Sequence, residues 1–260
     1  MKLRGRRVVG GKASGRVLAI PVPFSFVGGA DPSTGAIVDA EAGAAKERLR
    51  GRVFAFPHGK GSTVGSYVIY GLAKRGVGPL AIVNEAADAI VAVGAALGGI
   101  PTVDHIDIGG LRTGDRIDVN ADLGTVELPD VRAKRVVSAI LENRGRILLV
   151  RRSQEVGSFR GRWSAISGYI EGREDPKVRA VQEAREETGI RGLKFRAAGR
   201  TVLARDDGTA FVVHPFLFEA PSRRVRLDWE NVEHRWVRPE DVGRFDTVPR
   251  LKDVIATVLR

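Results

Sequence analysis

Glu183, Glu186 and Glu187 stand at i, i+3 and i+4 in the stretch DPKVRAVQEAREETG. On a helix those positions share one face, so three carboxylates would crowd together. Asp175 followed by Pro176 supplies a helix start: a side-chain oxygen for free amides, then a residue whose missing N–H costs nothing in a first turn. Gly189 supplies the stop. Crowded carboxylates resist ionisation, and a hard divalent cation with oxygen ligands relieves them. Glu174 stands at the helix entrance, and Gly168 and Gly172 free the loop before it. The chemistry on offer is metal binding aimed at phosphate groups. From spacing alone, a solvated helix of mixed Glu and Arg is the other reading.

A second constellation lies at residues 58–67, HGKGSTVGSY, after the apolar run at residues 53–57 and before a helical pattern over residues 64–72. Strand, glycine loop and helix start in that order leave backbone amides and the positive dipole end free for an anion. The four-residue spacer and the Gly-Lys-Ser/Thr order of a P-loop are missing. Ser62 or Thr63 also stands where a helix cap would be.

The chain that must hold these groups has 260 residues, enough for one or two domains. It has no cysteine, which excludes disulfides, thiolate zinc sites, thiol nucleophiles and any iron–sulfur cluster ligated by its own thiolates. No apolar run reaches membrane-spanning length, and MKLRGRR lacks an apolar signal core, so a soluble cytoplasmic protein with no membrane partner is expected. The net charge of +11 is uneven: residues 1–130 carry 15 Lys and Arg against 13 Asp and Glu, residues 131–260 carry 27 against 18. The basic residues are scattered and aromatics are only 6%, so phosphorylated small molecules, rather than nucleic acid, are the expected partners.

The pattern changes character near residue 130. Residues 116–128 alternate around Asp122-Leu123-Gly124 as a hairpin would, and LPDVRAKR after them suits a linker. Strands are expected at residues 135–140 and 146–150, then at 163–166 leading into the glutamate helix. Residues 210–218 read as a strand whose Pro215 implies an edge or a bulge. A strand at 234–237, a short helix opening at 238–241 and an amphipathic helix over 247–259 complete the reading.

The glutamate helix resembles the Nudix box, G-x5-E-x7-R-E-U-x-E-E-x-G-U with U aliphatic. Here it reads Gly168, Glu174, Gln182, Glu183, Ala184, Glu186, Glu187, Gly189 and Ile190, with Gln182 where the family has an Arg that orients the carboxylates. Gln182 can hydrogen-bond but cannot neutralise charge; Arg179 and Arg185 are the nearby cations. The resemblance implies an α/β/α sandwich with a mixed sheet over residues 131–260, hydrolysing a nucleoside diphosphate linked to another group. It implies Mg²⁺ or Mn²⁺ held by Glu183, Glu186, Glu187 and the Gly168 carbonyl, with Glu186 and Glu187 as catalytic groups. Glu230 or Glu233 could serve as base from a later loop. Arg151 and Arg162, with Arg152, are candidate phosphate contacts; Phe159, Trp163, Phe211 or Trp229 could stack a base. His214 and His234 have no partner at ligand spacing on a shared helix and read as ordinary hydrogen-bonded residues.

The first half resembles the small subunit of aconitase X type hydro-lyases, such as archaeal phosphomevalonate dehydratase. The residues that carry this are the runs at 26–35 (FVGGADPSTG), 57–67 (PHGKGSTVGSY), 81–84 (AIVN), 99–104 (GIPTVD) and 113–115 (TGD). Residues 39–50 lack the His-containing stretch the family would have there. The resemblance implies a swivelling β/β/α domain over residues 1–130, with Ser62 as catalytic proton acceptor and Lys60 and Gly61 binding substrate. The substrate would be 5-phosphomevalonate or a similar phosphorylated hydroxy acid. It also implies a separate large dehydratase subunit that carries the iron–sulfur cluster, which agrees with the absence of cysteine here. The alternative is a Nudix pyrophosphohydrolase whose first half only docks or regulates. A binding protein with both sites decayed is a further reading, supported by Gln182.

Overall fold

The apolar runs near residues 53–56 and 81–84 are buried on both faces, as strands covered by helices must be. The computed structural model describes residues 1–206 and 208–259. The chain divides into two compact units, Met1–Arg132 and Ala133–Arg260.

The first unit contains β1 (Lys2–Arg4), β2 (Arg6–Val9), β3 (Lys12–Ala19), β4 (Arg52–Phe56), β5 (Ala81–Asn84), β6 (Thr102–Asp104), β7 (Arg116–Asn120) and β8 (Thr125–Glu127). Helix α1 (Val64–Lys74) links β4 to β5, and α2 (Ala89–Gly98) links β5 to β6. The sheet order is β1-β8-β7-β3-β4-β5-β6-β2. Strands β3 to β6 run parallel, as helical crossovers require. The remaining pairs are antiparallel, including the β7–β8 hairpin expected around Gly124. Only Gly5 separates β1 from β2, yet they lie at opposite ends of that order, so the sheet curls until its edges meet. Gly5 N donates to Gly124 O at 2.8 Å on one edge, and a Cβ at Gly5 would collide with the Asp104 carbonyl on the other. The core beneath the helices centres on Phe24, Phe26, Phe54 and Phe56, whose rings lie 4.6 to 6.0 Å apart, mostly edge to face. Burying each ring is worth about 2 to 3 kcal/mol.

The second unit contains β9 (Arg132–Asn143), β10 (Arg146–Arg152), β11 (Trp163–Ser164), β12 (Ile166–Tyr169), α3 (Pro176–Thr188), β13 (Lys194–Ala198), β14 (Val202–Asp206), β15 (Thr209–Glu219), β16 (Asn231–Val237) and α4 (Leu251–Ala256). The sheet runs β11-β10-β9-β15-β13, with β12 also on β9, β14 on β15 and β16 on β10. Ala220 N donates to Glu142 O at 2.7 Å, so the ends of β9 and β15 coincide and these two neighbours run the same way. The other registered pairs are antiparallel, which makes the sheet mixed. Alternation divides the side chains between two cores. Val137, Ala139, Leu148 and Val150 face Ala180 and Ala184 of α3; Ile140, Ile147 and Leu149 face Leu251 and Val254 of α4. The result is an α/β/α sandwich.

Three local expectations change. The charged run at residues 132–135 is the start of β9, leaving only a short connection after Leu128. The last helix is shorter than residues 247–259 and spans Leu251–Ala256. Pro215 lies in an interior strand: β15 pairs with β14 through Val213 and with β13 from Phe216, so the proline falls in the gap where the partner changes. There it removes no ladder bond to either strand.

Candidate active sites

Helix α3 is bounded as its sequence implies. Asp175 accepts from Lys177 N at 2.8 Å and Val178 N at 3.3 Å, Pro176 opens the first turn, and Gly189 closes the helix at φ +68°. Ala180 and Ala184 form the inward stripe, and Glu183 and Glu187 lie on the stripe beside it, only 5% and 2% exposed. Glu186 faces solvent.

Each carboxylate has its own partner. Glu183 forms an ion pair with Arg179, one turn earlier. Glu187 accepts from Ser167 N at 3.2 Å and from Asn231 Nδ2 at 2.7 Å. Glu186 accepts from Gln182 Nε2 at 2.8 Å. The cation that neutralises a box carboxylate is therefore Arg179, and Gln182 serves the exposed one. Burial pushes the Glu183 carboxyl up to about 7 against the pull of Arg179, with Glu186 and Glu230 adding repulsion. Burial likewise raises Glu187 well above the usual carboxylate range; the Asn231 bond offsets part of this, and Glu230 and Glu183 add to it. Glu230 is also raised, by burial first and then by Asp228.

Glu183, Glu186 and Glu230 open on a cavity of about 370 Å³. Gly168, Arg152, Arg179, Glu183, Glu186 and Glu230 form its polar wall; Phe159, Phe211 and Trp229 are aromatic residues on its lining. A Cβ at position 168 would collide with the Glu183 carboxylate, so glycine is required for this approach. Arg151 and Arg162 lie outside the lining. Arg151 donates to Gly161 O at 3.2 Å and faces Glu233 at 3.7 Å, while Arg162 faces Asp246 at 3.8 Å. Adjacent strand residues point to opposite faces, so Arg152 enters the cavity because Arg151 does not. Glu233 is likewise held by Arg151 and Arg235, leaving Glu230 as the later carboxylate at the cavity. Trp163 packs on Phe245, with ring centroids 5.2 Å apart, in the core. Burial, and then the nearby Arg135, lower the pKa of His214. Ser167 and Asn231 carry no signal in the sequence; strand pairing alone delivers them to Glu187.

Among the described residues, no three carboxylate or imidazole side chains converge closely enough to hold an ion as they stand. The donor set nevertheless fits a hard divalent cation. Glu183 and Glu187 are buried oxygen donors, the charge of Glu183 helps raise the Glu187 pKa, and the backbone of Gly168 lies against Glu183.

In the first unit, three loops gather at the C-terminal ends of parallel strands, where open α/β sheets bind ligands. Phe24 N donates to His58 O at 3.1 Å and Lys60 N to Phe24 O at 3.0 Å, tying the loop after β3 to that after β4. A Cβ at Gly59 would collide with Asp88, and one at Gly61 would lie 3.0 Å from Ser25 Oγ. Lys60, Gly61 and Ser62 are all exposed there. Ser62 Oγ accepts from Val64 N at 3.3 Å, whereas Thr63 makes no side-chain cap. Exposed Val64 and Tyr67 continue from this loop along α1.

Known proteins separate along the same seam. Residues 2–128 match the aconitase X swivel domain and residues 132–258 match the NUDIX domain. The phosphomevalonate dehydratase small subunit of Thermococcus gammatolerans is 54% identical over 130 residues, 50% of this chain and 99% of that protein. A crystal structure of Thermococcus kodakaraensis aconitase X is 49% identical, with a TM-score of 0.49 over 49% of this chain and 98% of that one. A MutT protein from Methanosarcina mazei is 24% identical with a TM-score of 0.43, over 49% of this chain and 93% of that one. The molecule is thus a fusion of a hydro-lyase small-subunit module with a hydrolase module. The chain belongs through its first half to the family of phosphomevalonate dehydratase small subunits, and its second half is a NUDIX domain. Homology to a small subunit implies a large-subunit partner, and NUDIX domains generally use divalent metal ions.

Proposed function

We propose that the chain carries two separate chemistries, of which the second is complete within it. The C-terminal half hydrolyses a nucleoside-diphosphate-linked substrate with Mg²⁺ or Mn²⁺ held by Glu183, Glu186, Glu187 and the Gly168 carbonyl. When bound, the cation supplies neutralisation of the charge that develops on the phosphoryl oxygens. Arg152 orients the diphosphate from the cavity wall, Phe159, Phe211 and Trp229 offer apolar surface to the attached group, and Glu230 can accept a proton from water. Burial raises its pKa, which makes it a stronger base than an exposed carboxylate. The observation that carries this reading is buried Glu183 on the wall of a cavity, one helical turn from buried Glu187. Purified full-length protein with Mg²⁺, assayed on a panel of nucleotide diphosphates, should show turnover that Glu187→Gln removes. No turnover on any of them, with no change in that variant, sinks the hydrolase reading.

The N-terminal half acts in dehydration of 5-phosphomevalonate or a similar phosphorylated hydroxy acid. Ser62 accepts a proton there, and Lys60 and the Gly61 amide hold the anionic substrate. A serine needs help to bear an alkoxide; the amides at the start of α1 and Lys60 supply it. An iron–sulfur cluster on a separate large subunit would polarise the leaving hydroxyl, and that subunit would dock over the exposed loops at Ser62, Val64 and Tyr67. No helix among the described residues is long and apolar enough to cross a membrane, which is compatible with a cytoplasmic location. Co-expression with a cysteine-bearing large subunit should yield a complex that dehydrates the substrate and loses that activity in Ser62→Ala. A fully active Ser62→Ala complex removes Ser62 from the reaction.

A further inference from the structure

Beyond the C-terminal end of α3 lies a second cavity, of about 700 Å³, lined by Arg185, Arg191, Arg224 and Arg226 together with Glu186 and Gly189. Its walls come from separate stretches of chain. Arg185 is in the last turn of α3 and Arg191 follows the Gly189 stop. Arg224 and Arg226 belong to an extended segment after β15, fixed to the helix end by Arg226 N donating to Thr188 O at 2.9 Å. The neighbouring Arg223 is used structurally: it donates to Asn143 Oδ1 at 3.1 Å and Asn143 O at 2.7 Å and lies over Trp236. The four cavity arginines make no ion pair and no side-chain hydrogen bond among the described residues. The single carboxylate on their wall, Glu186, already accepts from Gln182.

A helix C-terminus tolerates cations, since its carbonyl end is negative, but that accounts for one or two charges rather than four. Unpaired guanidinium groups around one cavity match a phosphate, which takes bidentate hydrogen bonds from arginine. No aromatic side chain lines this cavity, so it lacks the stacking platform that a nucleic-acid strand would use. Glu186 also lines the catalytic cavity, so one side chain separates the two. We infer that the NUDIX half takes substrates bearing a further phosphate or polyphosphate arm, held by Arg185, Arg191, Arg224 and Arg226 beyond Glu186. The substrate part of this inference rests on the hydrolase reading; the anion site does not.

The test uses the full chain with EDTA, titrated with inorganic tripolyphosphate in a calorimeter. Binding should weaken tenfold or more in an Arg191→Ala/Arg224→Ala variant with unchanged Tm, and should weaken with added salt. No binding by the wild type, or equal affinity in the variant, overturns the site. Displacement of tripolyphosphate by a single-stranded RNA dodecamer that binds more tightly also overturns it, in favour of a nucleic-acid surface. With Mg²⁺, the variant should lose tenfold or more in kcat/KM on a dinucleoside tetraphosphate and less than twofold on ADP-ribose; equal losses overturn the arm. Arginine-dependent tripolyphosphate binding with no turnover of any diphosphate sinks the hydrolase reading and leaves the anion site standing.

Discussion

Glu183 and Glu187 in the C-terminal unit are buried carboxylates whose ionisation is opposed by their surroundings, whereas Lys60, Gly61 and Ser62 in the N-terminal unit lie exposed on a loop. The first arrangement stores unfavourable electrostatics inside its own fold and needs only a cation to relieve it. The second positions groups at the ends of parallel strands but leaves them open to solvent, where water weakens the help that Lys60 and the helix amides can give a serine. On the proposed reading, buried titratable groups mark a site complete in this chain, and exposed loops mark half of one. The N-terminal unit does bury one carboxylate, but for architecture. Burial opposes ionisation of Asp104, yet Arg6 and His105 overcome it and hold its pKa low, joining β2 to β6.

This contrast can be broken most sharply at Glu187 and Ser62. Glu187→Gln should reduce hydrolysis by about 10²- to 10⁴-fold while leaving dehydration by the reconstituted complex unchanged. Ser62→Ala should do the reverse by a similar factor. Steady-state rates of both reactions in both variants check this, and cross-inhibition would mean the sites are not separate. Next in size is Arg179→Ala, expected to lose about 10- to 100-fold in activity or metal affinity because it removes the group that positions Glu183. Gln182→Arg should change activity less than threefold, since Arg179 already supplies that charge; a large gain would show that Gln182 limits the enzyme.

The smallest effect concerns stability. The folded Glu183 pKa of about 7 lies above the usual carboxylate value of 4.5, so the metal-free folded state holds this proton more tightly. Its stabilising contribution is complete below the unfolded value and is lost as pH rises through about 7. Without metal, the C-terminal unit should therefore melt on the order of 5 °C lower at pH 8 than at pH 5.5 on this account. Mg²⁺ should restore most of that at pH 8 and little at pH 5.5. Scanning calorimetry at both values, with EDTA and with Mg²⁺, measures it; a transition that falls toward acid contradicts the assignment.

Local signals in the sequence were the ones that reached the structure intact. Asp175, Pro176 and Gly189 bound α3 because caps act within a turn, and box spacing placed Glu183, Glu186 and Glu187 correctly on the helix. Which partner each carboxylate meets was not legible, since Ser167 and Asn231 reach Glu187 only through strand pairing. Arg151 and Arg152 were indistinguishable because one residue of strand register exchanges their faces. Strands β1 and β2 are three and four residues long and pair with segments about a hundred positions away, so no periodicity reveals them. Pro215 suggested an edge or a bulge, and the change of partner from β14 to β13 was invisible without the sheet.

On the proposed reading one site is complete in the chain and the other requires a partner. Purified full-length protein should be assayed with Mg²⁺ for hydrolysis of nucleotide diphosphates and for dehydration of 5-phosphomevalonate, with and without the iron–sulfur large subunit. The predicted result is hydrolysis at the same rate in both cases, and dehydration only when the large subunit is present. Hydrolysis that appears only with the partner, or dehydration by this chain alone, would contradict it.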